Sequence, residues 1–120
     1  MGDARFSIEA VDGSTAVIAP RGELDLGNVD ELDASVEGAR QDGRQRLLID
    51  LSEVTHMDST AMARLIAAHQ SAVAGGGGVV LVAPAGAIRR TLEVRGLDGL
   101  FEVASSREEA LQALAGEGRV

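Results

Sequence analysis

The segment RLLIDLSEVTHMDSTAMARLI, residues 46–66, decides the fold of this chain. Its first part, 46–51, is an apolar run with a single acid, which is typical of a buried central strand. After the connection 52–57, apolar residues recur at helical spacing from about residue 60. A strand and a helix joined in this way predict one unit of a layered α/β protein.

The region before this unit reads as a β-hairpin. Two β-prone runs, 5–11 and 14–20, flank the pair Asp12-Gly13. That pair predicts a two-residue hairpin turn, because both of its positions tolerate a positive φ angle.

The remaining chain alternates between helices and strands. We predict helices over 29–42, 60–75 and 85–95, strands over 79–82 and 100–103, and a last helix after 106. Asn28 is the expected N-cap of the first of these helices and Gly96 the left-handed cap of the third, and Ser106 with Glu109 forms a capping box. The order predicts a single α/β domain: an N-terminal hairpin, a mixed and mostly parallel sheet, helices packed against it, and a frayed tail over 116–120.

Composition narrows the class of function. The 120 residues are 45% hydrophobic and 25% charged, as in ordinary globular proteins, and contain no cysteine for disulfides or thiolate chemistry. The net charge of −8 argues against nonspecific binding to nucleic acid or to an anionic membrane surface. We see neither a secretion signal nor an apolar run that could span a bilayer, so we expect a cytoplasmic protein without membrane insertion.

The residues that usually carry catalysis are scarce. His69 lies on the apolar stripe of a helix and is expected to be a packed residue. His56 precedes Asp58-Ser59, but the Gly-x-Ser-x-Gly elbow of a serine hydrolase is missing. No cluster has metal-ligand spacing, so we expect no enzyme, cofactor or metal site.

Asp50 stands where the phosphoacceptor of a receiver domain would stand, at the end of a central strand. A receiver also needs a lysine, and all eleven basic residues of this chain are arginine. Asp50 is therefore interpreted as a polar strand end or a helix-cap partner.

Ser59 has two interpretations. It lies at a strand-to-helix corner, where free N–H groups and the helix dipole favour added negative charge. Its hydroxyl could cap the helix or accept a phosphate, and the two roles are compatible. A phosphate would add roughly −1.5 to −2 charges beside Asp58.

Several motifs together resemble a known family. They are GELD at 22–25, LIDL at 48–51, MDST at 57–60, IRRTL at 88–92, and Gly96-Leu97. The chain is similar to STAS domains, and specifically to bacterial anti-sigma-factor antagonists, over residues 1–120 with an ordered core of about 5–115.

The resemblance implies a partner-switching mechanism. Unphosphorylated, the protein would bind an anti-sigma factor that is itself a serine kinase, and so release a sigma factor. Phosphorylation would end that binding, and a metal-dependent serine phosphatase would restore it. Whether the protein forms a homodimer stays open.

Carried over by position, Ser59 is the phosphoacceptor and Thr60 a secondary acceptor. The expected partner-binding residues are Asp25, Asn28, Asp58, Thr60 and Met62.

The chain departs from the family pattern at Ala61, where glycine usually follows the hydroxyl pair. The methyl group could hinder a kinase loop or favour the helix. Ala61 thus keeps an alternative open, in which an unphosphorylated STAS subunit serves a stress-sensing assembly or a lipid transporter. Arg64 is either a solvated residue or the partner of an acid or a phosphate.

Overall fold

The computed structural model describes residues 6–117 and confirms the predicted α/β architecture. Its strands are β1 Phe6–Ala10, β2 Thr15–Leu24, β3 Arg46–Asp50, β4 Glu53–Met57, β5 Gly78–Val82 and β6 Glu102–Ala104. Its helices are α1 Val29–Gln41, α2 Ser59–Ala74, α3 Ala87–Val94 and α4 Arg107–Glu117, with a 3₁₀ turn at Leu97–Gly99. Within these residues no helix is both long and apolar enough to cross a membrane.

The sheet has six strands, in the order β1-β2-β3-β5-β6, with β4 also paired to β2. β1 is antiparallel to β2, and every other pairing is parallel. The register places Val17 beside Leu48, and Leu48 beside Val80. β3 is therefore the central strand that its apolar sequence predicts.

Both faces of the sheet are covered. Leu47 and Ile49 point to one side, into a large core shared with α1, α2 and α3. Leu48 points to the other side and packs with Ala110 and Leu114 of α4. Because consecutive residues of a strand face opposite sides, burial on both faces explains the continuous apolar run of β3.

The hairpin turn is wider than predicted. Ala10 pairs with Ala16, so the turn is not a two-residue loop. Gly13 does not adopt a positive φ. Instead, the Asp12 carboxylate accepts hydrogen bonds from the backbone N–H of Ser14, at 2.8 Å, and from its hydroxyl. An aspartate side chain bonded two residues ahead can shape a turn without that backbone conformation.

β4 is the element that sequence reasoning missed. β3 pairs with the first half of β2, Thr15 to Ile18, and β4 pairs with its second half, Arg21 to Leu24. The two short strands thus follow one another along the same side of β2, so no long crossover connects them. Within the pairing of β2 with β4 the register shifts next to Gly22, which has a φ of 78°. Gly22 pairs with Val54 and Glu23 with His56, so Thr55 of β4 is the extra residue.

The predicted caps of α3 and α4 are present. Gly96 is left-handed at φ 74°, and its N–H donates to the carbonyl of Glu93 at 3.0 Å. The Ser106 hydroxyl accepts from the N–H of Glu109 at 3.2 Å, and the Glu109 carboxylate accepts from the N–H of Ser105 at 2.9 Å. α4 extends through Glu117, two residues into the predicted tail 116–120, and 118–120 lie outside the described residues.

Candidate functional site

Asp58 is the N-cap of α2. Its backbone is extended, at φ −98° and ψ 179°, and its Oδ1 accepts a hydrogen bond from the N–H of Ala61 at 2.8 Å. This is the standard geometry of a capping carboxylate at the start of a helix. The interpretation of Ser59 as the cap is therefore wrong, because Ser59 is the first residue of the helix itself.

The Asp58 carboxylate also binds the connection between β2 and α1 to the start of α2. Its Oδ2 accepts a hydrogen bond from the N–H of Leu26 at 3.1 Å, and the N–H of Asp58 donates to the carbonyl of Leu24 at 3.3 Å. The connection between β2 and α1 is thereby held against the first turn of α2. The Leu26 side chain remains 71% exposed beside this junction.

Asp25 and Asn28 shape that connection from within. The N–H of Asp25 donates to Oδ1 of Asn28 at 2.9 Å, and Nδ2 of Asn28 donates to the carbonyl of Glu23 at 2.8 Å. Asn28 occupies the N-cap position of α1 as predicted, but its side chain makes no capping bond to that helix. Both residues thus stabilise the loop that Asp58 holds.

The structure brings most of the predicted site residues to one end of the sheet. The loop of Asp25 and Asn28 meets Asp58 directly, and Ser59 and Thr60 follow in the first turn of α2. Met62 is close in sequence but only 6% exposed, so little of its side chain reaches the surface.

The Ser59 hydroxyl lies at the surface, at the start of α2. Ser59 is exposed, and its Oγ has no hydrogen-bond partner among residues 6–117. The Asp58 cap satisfies the N–H of Ala61 and leaves the serine side chain in solvent at the helix N-terminus. An N-terminus is the end of a helix that favours negative charge.

Asp58 holds a negative charge beside this hydroxyl. The hydrogen bond from the Ala61 N–H keeps the pKa of Asp58 below its usual range, against the opposing effect of desolvation. The N–H groups of Leu26 and Thr60 and the charge of His56 lower it further. The carboxylate is therefore ionised at neutral pH.

Comparison with known proteins assigns the family. The sequence model of the STAS domain matches residues 6–110. The chain belongs to the STAS domain family. An anti-sigma factor antagonist from Mycobacterium paratuberculosis is 28% identical and has a similar structure, with a TM-score of 0.81 over 92% of either chain.

Two further solved structures share this STAS fold. The Bacillus cell fate determinant SpoIIAA, in its phosphorylated form, is 26% identical, with a TM-score of 0.70 over 90% of this chain and 97% of that one. RsbS from Moorella thermoacetica is 24% identical, with a TM-score of 0.79 over 98% of this chain and 100% of that one, and its likeness shows the fold alone.

Ala61, the departure from the usual STAS pattern, faces inward. Its side chain is 0% exposed and belongs to the large core. A methyl group that packs inside the protein does not meet a partner that approaches Ser59 from solvent. The methyl group of Ala61 therefore gives no steric reason against the approach of a kinase loop to Ser59.

Arg64 and His69 have structural roles in this STAS domain. The Arg64 guanidinium pairs with Asp33, and with Asp30 at 3.7 Å, and so joins α2 to α1. Nδ1 of His69 accepts from the N–H of Val79 at 3.1 Å, and its ring lies 5.1 Å from that of Phe101. The prediction that His69 is a packed residue is confirmed.

Asp50 is a polar strand end, as predicted. Its Oδ1 accepts from the N–H and the hydroxyl of Ser52, and its Oδ2 accepts from Nε of Arg107 at 2.6 Å. Its partners join the end of β3 to the start of α4. No group of three or more acidic or histidine residues within 6–117 could hold a metal ion.

A groove lined in part by Met57 and Met62, which flank Ser59 in the sequence, is the feature that sequence reasoning did not find. It has a volume of about 470 Å³ and lies between β4, the first turn of α2, and α3. One of its walls is β4, so it could not be anticipated while 52–57 was interpreted as a simple connection.

Proposed function

We propose that this protein is an anti-sigma-factor antagonist that works by partner switching. Unphosphorylated, it binds an anti-sigma factor with serine kinase activity and so releases a sigma factor. Phosphorylation of Ser59 ends the binding, and a metal-dependent serine phosphatase restores it. The protein acts as a regulated binding partner and as a kinase substrate, and needs no catalytic residue of its own.

The observation that carries this proposal is that the Ser59 hydroxyl is exposed and makes no hydrogen bond within residues 6–117. A serine needed for stability would be bonded to its surroundings, but here Asp58 does the capping and the serine stays exposed. It lies at a helix N-terminus, where the dipole partly offsets the charge of a phosphate. The STAS family assignment and the similarity to antagonists from Mycobacterium and Bacillus support the same role.

Repulsion by an added phosphate is strong enough to break a protein complex. Two unit charges about 4 Å apart, at an effective dielectric constant of about 20, interact by roughly 4 kcal/mol. That energy corresponds to nearly a thousandfold in affinity. A phosphate facing an acidic or closely packed partner surface can therefore break the complex without a large conformational change.

The docking surface in this proposal surrounds Ser59. It consists of Asp25, Asn28, Asp58, Thr60 and the accessible edge of Met62. The exposed side chain of Leu26 adds an apolar contact beside the serine. The alternative of a STAS scaffold that is never phosphorylated rested on Ala61, and the burial of that methyl group no longer favours it.

The test is phosphate transfer from ATP by the anti-sigma factor of the same cells. We expect stoichiometric incorporation into the unmodified protein and none into Ser59→Ala. Thr60→Ala is the matched control, because it removes the neighbouring hydroxyl and should still accept phosphate on Ser59. Incorporation that survives Ser59→Ala would place the acceptor elsewhere, and a failure of the unmodified protein to accept phosphate would overturn the proposal.

A further inference from the structure

The groove between β4, α2 and α3 has an apolar floor with an exposed apolar rim. Met57 and Met62 line it and are 5% and 6% exposed, and Ile88 is half-buried. Val94 of α3 also lines it and is 78% exposed, a large value for a valine in a folded protein. Apolar surface left open in this way often marks a site of interaction.

The same rim carries positive charge that the described protein does not neutralise. Arg90 and Arg95 line the groove, and neither forms an ion pair with any residue of 6–117. The neighbouring Arg89 is paired with Glu93 at 3.7 Å, and Arg40, Arg64 and Arg107 are also paired with acids. Two unpaired arginines at one groove are a local exception in a chain of net charge −8.

The apolar floor and the two unpaired arginines together indicate which kind of ligand the groove binds. A nucleic acid would bring a long row of negative charges to a chain that is itself strongly acidic, which is unfavourable beyond the groove. A small molecule would be poorly enclosed, because His56, Arg90, Val94 and Arg95 are all exposed around it. A short acidic segment with apolar side chains can pair its carboxylates with the arginines and pack its apolar side chains on the methionines.

We propose that this groove binds an acidic segment of the protein partner, whose apolar side chains pack on Met57, Met62 and Val94. The inference deepens the proposed function and rests on it for the identity of the partner. Its groove-binding part is a property of this chain alone and can be tested without a kinase.

The position of the groove explains the direction of the switch. Met57 and Met62 lie just before and just after Asp58-Ser59-Thr60 in the sequence. A phosphate on Ser59 would thus lie at the border of a groove that accepts negative charge. Repulsion between the phosphate and the acidic segment would then weaken binding.

The test is an NMR titration of the ¹⁵N-labelled full chain with a synthetic helical peptide of about 14 residues, roughly four turns. The peptide carries leucines on one face and glutamates on the other, and a second peptide has glutamine at every glutamate position. We expect saturable shift changes at 55–57, Met62 and 87–95 with the acidic peptide. The glutamine peptide should bind at least about tenfold more weakly, because Arg90 and Arg95 would then have no charged partner in the complex.

Variants locate the effect. Arg90→Glu should lower the affinity for the acidic peptide by about tenfold or more, and Arg95→Gln should lower that affinity by a smaller factor. Glutamine is used at position 95 because an acid at a helix C-terminus would be unfavourable in itself. Arg40→Glu changes the net charge as Arg90→Glu does, but on α1 and away from the groove, and should leave the affinity within about twofold.

Three results would overturn the inference: no saturable shift changes in the groove, equal binding of the two peptides, or an affinity that Arg90→Glu leaves unchanged. Amide spectra with native dispersion show that each variant is folded. A failed titration with normal phosphorylation of Ser59 would refute the groove and leave the proposed function standing. The reverse pattern would refute the phosphorylation switch alone.

Discussion

Asp58 and Ser59 are neighbours in the chain with separate roles. The Asp58 carboxylate bonds to the N–H groups of Ala61 and Leu26, whereas the Ser59 hydroxyl has no bond among the described residues. Stability is therefore expected to depend on the aspartate, and regulation on the serine. The assignment of Asp58 as the cap also changes the expected cost of removing the serine.

Ser59→Ala should change the free energy of unfolding by less than about 0.5 kcal/mol, as is usual for an exposed side chain without a partner. Asp58→Ala should lower the urea midpoint clearly more, because a cap and a loop anchor are lost together. Asp58→Asn, which keeps a capping oxygen, is the control and should fall between them. Greater destabilisation by Ser59→Ala than by Asp58→Ala would show that the serine is the structural residue.

At the level of elements, β4 and the register shift in its pairing with β2 are what the sequence did not reveal. Val54 and Met57 are buried, whereas Thr55 and His56 between them are exposed. Burial three residues apart is not the alternation from which strands are recognised. The strand exists because its backbone pairs with the far half of β2, a tertiary contact that no local pattern encodes.

Other elements could be predicted because their signals are local. The apolar run of β3, the capping box of Ser106 and Glu109, and the left-handed Gly96 depend on a few adjacent residues. In the candidate site, the expectation for Asp25 and Asn28 came from the resemblance to STAS domains, and the structure places their loop against Asp58. The capping role of Asp58 depended on backbone angles and was not predictable from the residue type alone.

Gly22→Ala tests the register shift. At φ 78°, a side chain at position 22 meets the steric penalty of the left-handed region, so we expect a loss of about 1–2 kcal/mol. Gly38→Ala is the matched control. Gly38 lies within α1 and a Cβ there would meet no atom within 4 Å, so alanine should stabilise the protein by about 0.5–1 kcal/mol.

Urea denaturation of both glycine variants gives the comparison directly. Equal effects of the two substitutions would mean that position 22 does not require glycine. In that case the positive φ of Gly22 would not be needed for the register shift between β2 and β4.

The hydrogen bonds of Asp50, which join the end of β3 to the start of α4, predict how the stability of the protein changes at acid pH. Burial raises the pKa of Asp50, but hydrogen bonds from Ser52 and Arg107 outweigh it, and the pKa of the folded state lies below the usual value. The stability from Asp50 is thus complete above the unfolded-state pKa of about 3.9, and is lost as the pH falls through the folded-state pKa.

Asp50→Asn should therefore flatten the decline of stability in that acid range, measured as the urea midpoint against pH. It should also lower stability at pH 7, because the Arg107 guanidinium loses its charged partner. An unchanged slope below pH 4 would show that Asp50 does not contribute to acid unfolding.

At the scale of the whole molecule, charge connects the fold with its regulation. The chain already has a net charge of −8, and in the proposed switch phosphorylation would add to it at the end of α2 that carries the proposed docking surface. The fold should tolerate the addition, because Ser59 is exposed and the helix dipole favours negative charge there. In the proposed complex, in contrast, the partner would approach the added charge closely.

Ser59→Asp should weaken binding of the anti-sigma factor without lowering the thermal midpoint of unfolding by more than a few degrees. The penalty should shrink at high salt, because the screening length falls from about 10 Å at 0.1 M to about 3 Å at 1 M. Calorimetric titrations at the two salt concentrations measure this, with Ala67→Asp, an exposed position in the middle of α2, as the control. An equal penalty at both concentrations, or an equal effect of the control, would contradict a local charge switch.

The central claim is that Ser59 is phosphorylated in the cell, and the most direct measurement is the intact mass of the protein isolated from its own cells, with peptide mapping of 47–64. We predict a species heavier by one phosphate, with the modification on Ser59, whose abundance changes between growth and stress. Absence of phosphate on this peptide under all conditions would contradict the claim and leave Ser59 as an unmodified residue of a binding surface.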